Sequence, residues 1–474
     1  MTASPNSIAS ASKSPAWDRL EQFIEARRSA RQPVADLEAF EKELHAMCAL
    51  AEAEAVGEEL SRFDVALPTV TIDRVMHRQV LRCEQSYMTA AGPVAVMRTL
   101  YSTRQDGERA VCPMELRAGV IEGYWTPRAA KQATFVVTRL PPQEGEDLFA
   151  ELGGMCPSKS SLDRLPKQLS ERWEAGRIEY EQALRAEEKV PPNAVSLAIS
   201  LDGVHLPMKD SPQQRQAQGQ KNEEEKKSTG YHEAGCASLS YYDADGERIS
   251  TIRFGRMPER KKVTLKAMLA AETALILAQK PNLRLVKIAD GAKDNWAYLS
   301  DIGLPDGEQV IDFYHAVEHL SDALTAAYGA GDKRDAQFEK LRHTLRHDRR
   351  GADKVIRALI HLRDEHPRRK KVATELGYFR NHRHRMPYAR LKAMHLPMGS
   401  GVMEASCKTL VTQRMKCSGM VWGHDGVGGQ AILTLRGLAQ SGRFDRAWNM
   451  LAKTYVRSVT VPDNVVGLSQ WRPR

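Results

Sequence analysis

The sequence has little of what several protein classes require. In its 474 residues no window approaches 18 uninterrupted apolar residues, which excludes a membrane-spanning helix on sequence grounds. The start, MTASPNSIASASKSPAW, lacks the apolar stretch of a secretory signal and reads as a frayed polar tail. The 7 cysteines (Cys48, Cys83, Cys112, Cys156, Cys236, Cys407, Cys417) contain no Cys-x-x-Cys pair. Neither a disulfide scaffold nor a structural zinc site is expected, and the thiols should be reduced, as inside a cell. Aromatic residues are only 6% of the chain, which argues against a platform for stacking single strands. GHDGVGG (423–429) follows no strand and lacks Gly-Lys-Ser/Thr, so it is no nucleotide loop.

What is present is enough for several domains. A length of 474 residues with 42% hydrophobic content predicts two to four of them, at roughly 100–200 residues each. The formal net charge is +9, and its distribution matters more than its size. Residues 331–420 carry 22 Lys and Arg against 9 Asp and Glu, an excess of 13, so the rest of the chain sums to −4. One basic block in a mildly acidic chain suggests a region that binds a polyanion.

Six segments follow from local pattern. Residues 1–68 are an N-terminal helical region, where Leu37, Phe40, Leu44, Met47 and Leu50 recur at three- and four-residue steps. Residues 69–125 read as β-rich. Residues 126–190 turn helical again, and LFAELGGMCPSKSSLDRLPKQLSERW reads as helix, Gly-Gly turn and a second helix capped by Ser158 or Ser160. That pattern fits a helix-turn-helix DNA-binding unit and equally fits ordinary helix packing. Residues 191–313 follow the order β-β-β-α-β-α-β. They begin with VSLAISL (195–201), continue through a polar loop at 209–230, and include the buried strand LRLVKIA (283–289). Residues 314–397 are a basic helical insertion, and 398–474 contain further helices. The fold class expected is a multidomain α+β protein.

Three acids stand out by position. Within residues 191–313, Asp202 is expected to close the first strand and Asp290 the fourth. Glu404 is expected at the start of a helix after Met398-Gly399-Ser400-Gly401. Functional groups in open sheets gather at the carboxyl ends of strands. Each acid also has a plain reading: Asp-Gly is a turn dipeptide, and Glu near a helix start complements the dipole. Jointly, three converging carboxylates suit two magnesium ions about 3.5–4 Å apart in phosphoryl transfer.

The motifs SLDGVHLPMKD (200–210), KIADGAKDNW (287–296), DFYHAVEHL (312–320) and GSGVMEASCKTLVTQRMKCSGMVW (399–422) resemble those of DDE transposases of bacterial insertion sequences, in particular the Kra-type family. Looser similarity runs from about residue 90 to 440. The resemblance implies a ribonuclease-H-like core interrupted by the 314–397 insertion. It also implies a catalytic and metal-binding triad of Asp202, Asp290 and Glu404 with two Mg2+ (or Mn2+) ions. The substrates implied are double-stranded terminal inverted repeats and target DNA, bound by a homodimer or higher assembly in the bacterial cytoplasm, on the nucleoid. Relatives place a Cys-x-x-Cys ribbon ahead of the core. Here the matching stretch, TLYSTRQDGERAVCPMELRAGV, keeps only Cys112, so a degenerate ribbon without zinc is expected.

Phosphate contacts are expected from Lys408, Arg414 and Lys416 beyond Glu404, and from Arg368, Arg369, Lys370 and Lys371 in the insertion. For Lys408 the plainer reading is a surface pair with Glu404, worth about 0.3–0.5 kcal/mol. Trp296 and Trp422 follow two of the acid motifs, and core packing is their simpler role. His315-Ala316-Val317-Glu318-His319 matches the inverted zinc-peptidase pattern, which makes a metallopeptidase a remote alternative. The main alternative is a catalytically silent DNA-binding protein on the same core.

Overall fold

The computed structural model describes residues 15–103, 109–211, 229–300, 304–399 and 401–461. The expected polar tail and most of the expected 209–230 loop lie outside these residues. The chain is a mixed α+β protein divided into two compact units, one formed by Met1–Ala175 with Asp445–Arg474, the other by Gly176–Phe444. Among the described residues no helix is long and apolar enough to cross a membrane.

The first unit opens with helices Pro15–Ser29 and Leu37–Arg62. Asp36 caps the second by accepting a hydrogen bond from the Ala39 N–H (3.1 Å). Ala16, Leu20 and Ala51 are buried between the two helices and Phe23 stacks on Phe40, while Leu37 and Leu50 remain exposed. An antiparallel sheet follows, formed by β1 (Thr69–Ile72), β2 (Val75–Thr89) and β3 (Gly92–Ser102). A fourth strand, β9 (Val459–Thr460), pairs with β1 and so belongs to this unit rather than to the acid-bearing one.

The stretch expected to be a degenerate ribbon instead ends in the helix Pro113–Ala118, whose Glu115 accepts from Tyr87 Oη (2.6 Å) and pairs with Arg98. Tyr101 is fully buried and donates to the Leu67 carbonyl (2.7 Å). Cys112 is buried, and burial, with the Glu115 charge next, pushes its thiol up to about 12. A thiol this reluctant to ionise is an apolar packing group. Helices Pro127–Val137, Pro142–Leu152 and Lys159–Ala175 complete the unit, with left-handed Gly153 and Gly154 in the turn before the third. Ser158 is the residue that caps it, accepting from the Ser161 N–H (3.3 Å).

The second unit is built on a sheet of order β6-β5-β4-β7-β8, formed by β4 (Ser196–Lys209), β5 (Thr229–Tyr242), β6 (Arg248–Arg256), β7 (Arg284–Ala289) and β8 (Glu308–Ile311). β4, β5 and β6 are antiparallel neighbours, whereas β7 and β8 run parallel to β4. The hairpin between β5 and β6 turns at Asp243, whose Oδ1 accepts from the Asp245 and Glu247 N–H groups, with Gly246 left-handed. Helix Val263–Gln279 makes the crossover to β7, and Lys293–Leu299 the crossover to β8.

From Phe313 the chain is helical. Phe313–Tyr328 is followed by Asp332–His347, Gly351–Glu365, Lys370–His382 and Tyr388–Ala393. Their apolar faces (Leu320, Leu324, Leu345, Val355, Leu359, Leu376, Phe379) share one core with the sheet. A second core lies between Leu206, Met208, Ala234 and Cys236 of the sheet and Met403, Cys407, Leu410 and Leu433 of the later helices.

Candidate active site

β4 does not stop where a turn dipeptide predicts. It runs for 14 residues, straight through Asp202-Gly203, because β5 pairs along its whole length and sets Asp202 opposite Cys236 and Gly203 opposite Gly235. A Cβ on Gly203 would meet Glu233 Oε1 at 1.8 Å, so this glycine serves close approach, not a turn. Asp202 is therefore a mid-strand residue, which corrects the expectation that it closes the strand.

Register decides what Asp202 faces. β4 and β7 pair in parallel up to Ser200 opposite Ile288. Two residues further on, Asp202 stands level with Asp290, and the two-residue side-chain period keeps both on one face. β7 pairs with β8 up to Ala289 opposite Ile311, so one step further Asp290 stands level with Asp312. Three acids thus lie in a row across three adjacent parallel strands. Asp312 is not among the acids that the sequence singles out. It is 2% exposed and caps the helix Phe313–Tyr328, accepting from the Tyr314 N–H (2.6 Å).

The side chains at the centre are held individually. Gly203 N–H donates to Asp202 Oδ1 (2.7 Å), and the Cys407 thiol lies 3.6 Å from Oδ2. Burial, and after it the Asp290 charge, push the Asp202 carboxyl above the ordinary range, while the Gly203 N–H, Cys407 and His315 pull the other way. Asp290 Oδ1 accepts from the Ala292 N–H (3.0 Å) and Asn295 Nδ2 (3.2 Å). Trp296 Nε1 donates to the Asp290 carbonyl (2.5 Å) and Arg385 lies over the indole ring, so Trp296 acts through the backbone of this loop.

Glu404 arrives on the helix Gly401–Cys407, which continues through a π-helical turn, Lys408–Thr412. Ser406 accepts from Arg253 Nε (3.0 Å), and Arg436 donates to the Leu410 carbonyl (2.9 Å) and to that of Thr409. Met403 packs against Ser238 of β5. These contacts dock the helix on the sheet, and Cys407, three residues beyond Glu404, brings it to Asp202. Glu404 itself is exposed and makes no hydrogen bond or ion pair among the described residues.

Among the described residues no group of three or more His, Cys, Asp or Glu side chains is arranged to hold a metal ion. The structure brings Asp202 and Asp290 together, and Glu404 lies on the helix whose Cys407 contacts Asp202. The two aspartates supply hard oxygen donors, the Asp290 charge adds to the cost of ionising Asp202, and neither has an ion-pair partner among the described residues. That donor set suits a hard divalent cation.

The basic candidates separate by exposure. Lys408, Lys416, Arg368, Arg369 and Lys370 are exposed. Lys371 is exposed but pairs with Glu375 (2.8 Å) and Asp322 (3.1 Å). Arg414 is only 2% exposed, which corrects its assignment as a surface phosphate contact: the π-helical turn rotates the helix that follows and places this side chain inside. Trp422 pairs its backbone with Pro207 and Lys209 of β4 and packs in the second core. Gly429 of the glycine-rich segment would put a Cβ 2.5 Å from Met257 Sδ, so it serves close packing of its helix on the residue just after β6.

His315 and His319 do not converge on one point. His315 Nδ1 lies 3.2 Å from Glu318, whereas His319 Nδ1 lies 2.5 Å from the buried Glu375 and its ring stacks on Tyr378 at 3.6 Å. No family model matches the chain, and no curated protein matches it.

Proposed function

We propose that the chain is a DNA-cleaving and strand-transferring enzyme of the DDE transposase type, built on a ribonuclease-H-like core and resembling the Kra-type group. One observation carries this reading: Asp202 and Asp290 stand level on adjacent parallel strands, in a sheet that begins with three antiparallel strands and ends with two crossover strands. The position of Glu404 one helical turn from the thiol that touches Asp202 adds support.

Asp202 and Asp290 would hold divalent cations, Mg2+ or Mn2+, with Glu404 serving the second of two. Bound there, such ions lower the pKa of an attacking water or 3′-hydroxyl and stabilise the leaving oxygen. The chain's own groups orient the carboxylates: Gly203 N–H and Cys407 for Asp202, Asn295 and the Ala292 N–H for Asp290. Exposed Arg368, Arg369, Lys370, Lys408 and Lys416 would hold phosphates of terminal inverted repeats and target DNA, with the protein acting as a homodimer or larger assembly on paired ends.

The test uses purified full-length protein and a labelled inverted-repeat end taken from the DNA flanking the reading frame. Wild type should cleave it with Mg2+. Asp202→Asn, Asp290→Asn and Glu404→Gln should each lower the rate about 10³-fold or more, as loss of several kcal/mol of charge stabilisation requires. DNA binding should survive in all three. Full strand transfer by any of these variants sinks the assignment, and binding without cleavage by wild type favours a silent DNA-binding protein. The zinc-peptidase reading draws no support from His319, whose ring is committed to Glu375.

A further inference from the structure

The insertion reaches the second aspartate. Helix Lys370–His382 carries Tyr378 and His382 four residues apart, on one face, against the loop that holds Asp290. A Cβ on Gly291 would lie 2.4 Å from Tyr378 Cε2, 3.2 Å from Tyr378 Cζ and 3.3 Å from His382 Nε2. The hydroxyl-bearing end of the Tyr378 ring therefore rests on the residue directly after Asp290, and only a glycine there admits it.

Both side chains are costly where they stand. Tyr378 Oη and His382 Nδ1 are buried and have no hydrogen-bond partner among the described residues. A buried polar group left unpaired costs about 1–3 kcal/mol, so each such group in a native protein calls for an explanation, a catalytic role being one. The rest of the cluster is satisfied. His319 stacks on the Tyr378 ring and bonds to Glu375, which is 2% exposed and also pairs with Lys371. Burial, then the Asp290 and Asp312 charges, push the Tyr378 phenol upward, so it stays a neutral donor. Burial, with Arg385 and His384, lowers His382, so its imidazole is neutral as well.

We propose that Tyr378 is a catalytic residue supplied by the insertion, whose hydroxyl donates to a non-bridging phosphate oxygen of the DNA strand held at Asp290, with His382 beside it. This rests on the DNA-cleavage reading above. Tyr378 and Asp290 are each half-buried, and a shift of the ring edge off Gly291 is required for the buried hydroxyl to reach the surface beside Asp290. Catalytic hydrogen bonds are often unformed in the free enzyme and close only with substrate. A neutral donor suits the place, because it adds a bond to phosphate without discharging the neighbouring carboxylates.

Tyr378→Phe in the full-length protein keeps the ring and its stacking on His319 and removes only the orphaned hydroxyl. Three readouts on one labelled DNA end decide the matter. The melting temperature should stay the same or rise, since an unsatisfied buried group has gone. The dissociation constant for DNA should change less than about two-fold. The single-turnover cleavage rate at saturating DNA should fall about 10²–10³-fold, the range for removing one oxyanion donor. His382→Asn should lower the same rate by a smaller factor, again without loss of binding. Cleavage by Tyr378→Phe at the wild-type rate overturns the proposal while leaving the DNA-cleavage reading intact. A wild-type protein that binds but never cleaves DNA removes both.

Discussion

Two acidic sites in the second unit, one buried and one half-buried, invite comparison. Glu272, 2% exposed on the helix Val263–Gln279, is answered by Arg185 (2.9 Å) and Arg443 (2.6 Å), and Arg443 in turn binds Glu188 while Arg185 binds Glu181. Asp202 and Asp290 face each other with backbone and amide donors but no arginine or lysine in contact among the described residues. The residue types are alike and the charge balance is opposite. A saturated acid is a structural part, whereas the aspartate pair keeps a negative charge that no cationic side chain among the described residues answers.

The contrast can be broken by mutation. Glu272→Ala leaves two guanidinium groups buried around a hole and should destabilise the second unit by about 3–5 kcal/mol, read by urea titration. A cost under about 1 kcal/mol would show that the network is not holding the helix. Arg436→Met should come next. It strips donors from the Leu410 and Thr409 carbonyls, loosens the helix carrying Glu404, and should cost about 1–3 kcal/mol of stability. Cleavage should fall with it, and unchanged cleavage would separate Glu404 from the chemistry.

Asp202→Asn should act in the opposite direction to Glu272→Ala. The Asp202 carboxyl is raised above its unfolded value, so its proton favours the folded state below about pH 3.9, and that contribution is lost as pH rises through the folded value. At pH 7 the wild type bears the cost of a buried charge. The asparagine variant should then melt at a higher temperature than wild type at pH 7, and the gap should close as pH falls below about 4. Mg2+ should raise the melting temperature of wild type but not of this variant, and equal shifts in both would place the ion elsewhere. The smallest effect is expected from the surface. Replacing Arg368, Arg369 and Lys370 with alanine should weaken binding to all DNA sequences alike. The salt slope should fall by about 1 for each phosphate no longer neutralised, and an unchanged slope would take these residues off the DNA.

Much of this is legible in the residues. The alternating run of VSLAISL, the buried run LRLVKIA and the hairpin at Asp243–Gly246 announce strands through side-chain period and turn chemistry, which are local properties. The same local logic makes Asp202-Gly203 a stop, and only the pairing of β5 along the strand carries the chain through it. It also places Arg414 on a continuous helical face, and a π-helical turn between Glu404 and Arg414 breaks that periodicity. Asp312 carries the same signal as Asp290, an acid at the end of a parallel strand, and could have been found by it. Tyr378 and His382 carry none, since nothing in their neighbourhood along the chain points to Asp290.

By itself the sequence determined the α+β character, the approximate positions of most strands and helices, the basic block and two of the three acids in the row across the sheet. These depend on patterns within a few residues: side-chain period, capping and charge. Tertiary structure alone decided which acids meet, since register between β4 and β7 sets Asp202 level with Asp290 and a packed helix brings Cys407 to Asp202. It also decided which unit β9 joins and which insertion residues lie against the loop of Asp290. Those outcomes depend on pairing and burial between distant segments, which no local pattern encodes.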